Sequence, residues 1–222
     1  RAALAALLGQ GAVLSLKAGP APDALADGDP LISRRAWQRL SARLTTILEE
    51  YHQAHPLRLG MPLEECRSRA RLPEGYADLL LACAVTEGTI VQTGAFVRLA
   101  DHAVVLAGAD QAKVQALLDA FAREPFAPPS AAQAEEQVGA ELLQYLVDSG
   151  ALVRGSSEVL FADEAYRQME ALLRQHLAAQ GSITVAQFRD LTGTSRRYAL
   201  AFLEDADQRR ITRRVGDARV LR

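Results

Sequence analysis

The sequence has no asparagine, and its only lysines are Lys17 and Lys113. Its two cysteines, Cys66 and Cys83, are too few for a disulfide framework and lack metal-ligand spacing. Both fall in helix-like stretches and read as small core residues. Aromatic side chains make up 5% of the chain. No apolar run approaches the roughly 20 residues that a membrane-spanning helix needs. The apolar start, Arg1 to Gly11, shows no small-residue cleavage site after a charged segment. It reads as an interior helix cut by a boundary rather than a leader, and a cytoplasmic location without a membrane partner is expected. Catalytic signatures are missing too: no G-x-x-x-x-G-K-[ST] phosphate loop, no G-x-S-x-G elbow and no H-E-x-x-H. The acid pairs Glu49-Glu50 and Glu64-Glu65 would diverge by about 100° on a helix and read as solvated faces. No catalytic or metal-binding residue is assigned.

What remains is an ordinary globular balance, 49% hydrophobic and 23% charged, with nearly all positive charge carried by arginine. Arginine content alone says little, because a GC-rich genome also favours it. Distribution says more. The net charge is −2, yet Gly181 to Arg222 holds nine arginines against five acids, an excess of four positive charges. The positive field is concentrated at one end.

The chain also repeats itself. A Leu-rich helix passes into a strand, a turn and a returning strand, first at Leu79-Leu80-Leu81, Gly88 to Val91 and Phe96-Val97. The pattern recurs at Leu142-Leu143, Gly150 to Val153 and Val159 to Phe161, and again at Phe202-Leu203, Ile211 to Arg214 and Val220-Leu221. A partial copy runs from Leu7-Leu8 to Gly11 through Leu14. Val91 and Val153 are 62 positions apart, Val159 and Val220 61. Thr93-Gly94, Gly155-Ser156 and Gly216-Asp217 are turn signals. Three helices closed by a two-stranded hairpin form a winged helix. The expected fold is therefore mainly α with small β-hairpins (α+β), as tandem winged-helix modules. Boundaries are expected at 1–34 (a truncated first module), 35–108, 109–162 and 163–222, with Ala107-Gly108-Ala109 as a hinge. Pro62 suits a first helical position, Thr184 to Gln187 has capping-box spacing, and Asp163 and Thr194 are expected helix caps.

The constellation that points to function lies in the fourth module. Thr194, Ser195, Arg196, Arg197 and Tyr198 open the second helix of a helix-turn-helix, the part that meets nucleic acid by its N-terminal residues. The unpaired backbone N–H groups and the dipole there attract phosphate, and guanidiniums and hydroxyls add charge-assisted bonds. The wing adds Arg213, Arg214 and Arg219. Arg213 and Arg214 should point to opposite strand faces, so one of them lines a given surface. The alternative is a solvated basic face with local pairs such as Arg219 with Asp217. Basic residues on both the helix start and the wing favour nucleic-acid binding by these eight residues. Modules two and three, poorer in cations on their last helices, read as spacers or protein-contact surfaces. His52 and His55 could in principle share a metal, but no third ligand is evident and Pro56 ends the helix, so they read as packing.

The stretch Tyr51-His-x-x-His-Pro-Leu-Arg-Leu-Gly-Met-Pro-Leu-Glu-Glu-Cys-Arg-Ser-Arg69 resembles the second winged helix of the bacterial selenocysteine-specific elongation factor family, SelB. Phe188-Arg-Asp-Leu-Thr-Gly-Thr-Ser-Arg-Arg-Tyr-Ala199 and Arg213-Arg-Val-Gly-Asp-Ala-Arg-Val-Leu221 resemble its last one. Cys66 departs from the family pattern, where leucine is expected. The resemblance implies recognition of the mRNA hairpin that recodes UGA, mainly by the last module, through loop bases and backbone. It implies no cofactor in this region, since GTP and magnesium belong to the family's GTPase half. It places the ribosome and selenocysteinyl-tRNA as partners of the full-length protein, and a monomer is expected. A duplex-DNA regulator and a protein-assembly scaffold remain competing classes. A DNA regulator would ordinarily dimerise on two half-sites, and no dimerisation heptad is present.

Overall fold

The structure is a computed structural model describing residues 2–16, 28–156 and 159–222. It divides into two compact units, Arg1–Val105 and Leu106–Arg222.

In the first unit, α1 (Ala2–Gly9) leads to β1 (Val13–Ser15), which pairs antiparallel with β2 (Leu31–Ser33). Residues 17–27, in the middle of the expected first module, lie outside the described residues. Ser33 then caps α2 (Arg34–Ala54), accepting a hydrogen bond from the Ala36 N–H at 3.2 Å. Trp37, Leu44, Leu48 and Tyr51 are buried along one face of α2, at the spacing an amphipathic helix requires. The chain continues through β3 (Met61–Pro62), α3 (Leu63–Arg69), α4 (Ala77–Thr86), β4 (Ile90–Thr93) and β5 (Phe96–Leu99). The strands form one antiparallel sheet in the order β3-β5-β4. Leu14 and Ile32 from the first hairpin pack on the core built from Trp37, Leu44, Leu48, Met61, Leu81, Ile90 and Val97.

The second unit runs α5 (Gly108–Arg123), α6 (Ala131–Val138), α7 (Ala140–Asp148), β6 (Leu152–Ser156) and β7 (Val159–Ala162). It continues α8 (Asp163–Gln180), β8 (Ile183–Thr184), α9 (Val185–Thr192), α10 (Arg196–Gln208), β9 (Thr212–Val215) and β10 (Ala218–Leu221). β6 pairs with β7, and a second sheet has the order β8-β10-β9. Capping boxes start α6, through Ser130 and Gln133, and α9, through Thr184 and Gln187. One core joins the β7 residues Val159 and Phe161 to Tyr166, Met169, Leu173, Phe188, Ala199, Phe202 and Leu203. Phe202 stacks on Phe188 at 5.1 Å between centroids. β6 crosses close to α10. A Cβ on Gly155 would come within 3.0 Å of the Phe161 ring and 3.5 Å of the Ala201 carbonyl.

The repeated helix-to-strand passage is one turn used four times. Two residues before each strand, Gly11, Gly88 and Gly150 take left-handed φ angles of 65°, 72° and 79°, and Arg210 takes the same place at 62°. Four local expectations are corrected. The sheets of residues 61–99 and 183–221 have three strands, not two, because β3 and β8 are two-residue strands too short for an alternating pattern. Pro62 sits at the α3 cap position and closes β3 rather than opening the helix. Asp163 is the first residue of α8, not its cap, and pairs with Arg167 at 2.8 Å. Gly108 begins α5. The turn expected at Gly155-Ser156 falls within β6, and residues 157–158 beyond it lie outside the described residues.

Candidate nucleic-acid interface

Gly193, left-handed at φ 67°, ends α9 and lets the chain reverse into α10. Ala199, Phe202 and Leu203 anchor α10 in the core, all fully buried. That anchoring leaves Ser195, Arg196 and Arg197 exposed at the helix start. Ser195 occupies the cap position and makes no side-chain cap bond. The first backbone N–H groups of a helix have no intrahelical partner, so this end presents donors and the positive end of the dipole beside two guanidiniums. The Arg197 guanidinium carbon lies 6.0 Å from the centre of the Tyr198 ring.

The other residues expected there are placed differently. Thr194 does not cap α10. It is 8% exposed and its hydroxyl donates to the Phe126 carbonyl. Tyr198 is half-buried, and its hydroxyl donates to the Pro128 carbonyl at 2.6 Å. Its ring meets Phe161 edge-on at 6.1 Å.

On the wing, Arg219 is 2% exposed. Its Nε donates to Asp207 at 2.9 Å, and the Thr212 hydroxyl donates to the same carboxyl group at 2.6 Å. The pairing expected between Arg219 and Asp217 is therefore replaced by one between buried Arg219 and half-buried Asp207 at the wing's base. Asp217 instead lies 3.9 Å from Arg214, at the tip. Arg214 faces Arg219 across the strands, and its Nε donates to the Gly216 carbonyl at 2.9 Å. Arg213 lies opposite Val220, on the other face of the ribbon. Both Arg213 and Arg214 are exposed.

Two acids near the C-terminal end of α10 hold this geometry, although carboxylates are disfavoured by the dipole there. Asp207 gathers the wing, as described. Asp205 is 6% exposed and accepts from the Tyr166 hydroxyl at 2.6 Å and from Arg209 at 2.5 Å. Burial, and then the bond to Asp205, push the Tyr166 hydroxyl's pKa well above its ordinary value. Sequence reasoning missed Phe126, Pro128 and Asp207. Asp207 carried a faint signal, since an acid five residues before a buried strand threonine is placed to meet it.

The corresponding surface of the first unit differs. The first turn of α4 carries Asp78, which pairs with Arg67, and Arg67 also pairs with Glu64. Arg98 on β5 turns onto backbone, donating to the His102 carbonyl at 2.8 Å. His52 and His55 do not converge. His52 stacks on His102 at 3.6 Å, and His55 lies against Tyr51.

Residues 45–99 and 175–221 match two family profiles, each described as elongation factor SelB, winged helix. Both stretches are thus similar to SelB winged helices. A selenocysteine-specific elongation factor from Desulfomicrobium baculatum is 28% identical over 190 residues, covering 79% of this chain and 29% of that protein. The chain thus spans less than a third of that relative's length. Among solved structures, the mRNA-binding domain of SelB from E. coli, in complex with SECIS RNA, overlays with a TM-score of 0.44 at 23% identity. That overlay covers 53% of this chain and 99% of the other. A bacterial selenocysteine-specific elongation factor EF-Sec overlays with a TM-score of 0.46 at 15% identity, covering 90% of this chain and 32% of the other. The basic helix start and wing described above both fall within, or border, the second SelB-matched stretch.

Proposed function

We propose that this chain reads an mRNA selenocysteine-insertion hairpin for a selenocysteine-specific elongation factor, and so supports UGA recoding. The observation that carries the reading is the exposed Ser195-Arg196-Arg197 helix start in a SelB winged helix whose wing exposes Arg213 and Arg214. Such a surface offers backbone N–H donors and guanidiniums to phosphates and planar guanidinium faces to splayed loop bases. The contact set reduces to Ser195, Arg196, Arg197, Arg213 and Arg214, because Thr194, Tyr198 and Arg219 are engaged within the protein. The name of the Desulfomicrobium baculatum relative supports the translational setting.

In this reading the region acts by binding. GTP and magnesium belong to a GTPase half of the full-length factor, through which the ribosome and selenocysteinyl-tRNA are reached. The factor works as a monomer in the cytoplasm. Among the described residues no helix is long and apolar enough to cross a membrane. The test is a gel-shift series with a hairpin carrying an extruded loop base, an RNA duplex of equal length and a DNA duplex. Preference for the hairpin supports the reading. Equal or stronger binding of the DNA duplex points to a DNA regulator, and binding of none points to a scaffold.

A further inference from the structure

Thr194 and Tyr198 bracket the exposed residues 195–197, and both turn away from solvent onto one segment. Their hydroxyls donate to the carbonyls of Phe126 and Pro128, 68 and 70 positions earlier in the chain. That segment joins α5 to α6 and contains Pro125, Pro128 and Pro129. Proline fixes φ, so the strap is stiff, and each proline removes an N–H while keeping its carbonyl. Phe126 packs against the core that also holds α10, and Pro128 is buried. The start of α10 is thus suspended between two anchors on the preceding module.

We infer that the Phe126–Pro128 strap positions the RNA-facing start of α10, with Thr194 and Tyr198 as positioning residues for the hairpin rather than contacts to it. The inference rests on the RNA-binding reading and deepens it. Fixing residues 195–197 before RNA arrives spares the complex the entropy of ordering them, so a looser strap weakens binding without removing any contact. Core packing below the anchors, such as the Phe188–Phe202 stack, does not depend on either hydroxyl. It also gives module three a task that its poverty in cations does not suggest.

The test uses the whole chain. Tyr198→Phe removes one hydroxyl and keeps the ring against Phe161. Phe126→Leu loosens the strap from below, and Thr194→Val releases the second anchor if Phe126→Leu fails to fold. Each is titrated with the hairpin at several salt concentrations, beside wild type and Arg197→Ala, with urea unfolding to establish that it is folded. Each strap variant is expected to bind three- to tenfold more weakly and dissociate faster, with the wild-type salt slope, because no phosphate contact is lost. Combining Tyr198→Phe with Phe126→Leu or Thr194→Val should cost little more than the weaker-binding single variant, since all release the same strap. A folded Tyr198→Phe that binds like wild type overturns the inference. So does full additivity in the double variant, which makes Tyr198 a contact. If wild type binds and Arg197→Ala weakens it while the strap variants do not, only this inference falls. If wild type does not bind the hairpin, the functional reading falls first.

Discussion

The two stretches similar to SelB winged helices share a three-stranded sheet order and a helix-turn-helix, yet their exposed chemistry is opposite. At the start of α4 the first turn holds Asp78, already tied to Arg67. At the start of α10 it holds Arg196 and Arg197. On the wing of the first unit Arg98 is half-buried and donates to backbone carbonyls, while on the wing of the second Arg213 and Arg214 are exposed, with the Arg214 Nε donating to Gly216. The scaffold is common to both, and the binding reading rests on charge placed at two of its projections.

The largest expected effect tests whether the units are energetically separate. Phe202→Ala removes the ring at the centre of the second core and should destabilise that unit by about 3–5 kcal/mol. Denaturant unfolding followed by Trp37 fluorescence reports on the first unit, whose transition should not move. A shift of the Trp37 transition would break the division into two units.

Protonation should act on the first unit through His52. Burial, then His102 and Arg98, outweigh Asp101 and depress its pKa to about 4. A depressed pKa favours the neutral ring in the folded state. The associated stability is complete above the ordinary histidine value of about 6.5 and is lost as pH falls towards 4. The upper bound is about 3 kcal/mol. His52→Gln should flatten the pH dependence of the Trp37 transition between pH 6.5 and 4. An equally steep profile in the variant would assign the effect elsewhere.

Binding should separate the units next. Arg197→Ala is expected to weaken hairpin binding about tenfold, near 1.4 kcal/mol. Asp78→Ala, at the equivalent helix start of the first unit, should leave affinity unchanged in the same titration. Equal effects from the two would erase the contrast.

The smallest effect concerns the shared turn. Arg210 holds a left-handed φ that Gly88 and Gly150 adopt without a side-chain clash. Arg210→Gly should stabilise the second unit by about 0.5–1 kcal/mol, measured by thermal unfolding. A lower melting temperature would show that the Arg210 side chain contributes more than its backbone costs.

Much of this contrast was legible in the sequence because it is written locally. The spacing of Thr184 and Gln187 announced the start of α9, and the repeated helix-to-strand passage placed Phe202-Leu203 ahead of the wing. Strand alternation put Arg213 and Arg214 on opposite faces. What escaped depends on distant partners. Arg219 looked like a surface cation until the fold brought Asp207 beneath it, in preference to the nearer Asp217. Thr194 and Tyr198 looked like contact residues, and no local pattern connects them to carbonyls some 70 residues earlier. Two-residue strands such as β3 and β8 carry too few positions for any periodicity.

The central claim is that guanidiniums at the start of α10 and on its wing neutralise RNA phosphates. Its most direct test is the salt dependence of hairpin binding by the whole chain and by Arg196→Ala/Arg197→Ala, with both proteins confirmed folded by circular dichroism. Each phosphate neutralised contributes about −0.7 to −0.9 to the log–log slope, so three or four contacts give roughly −2 to −4. The account predicts a wild-type slope in that range and a double variant shallower by about 1.4 to 1.8. A wild-type slope near zero, or a double variant with the wild-type slope, would contradict it.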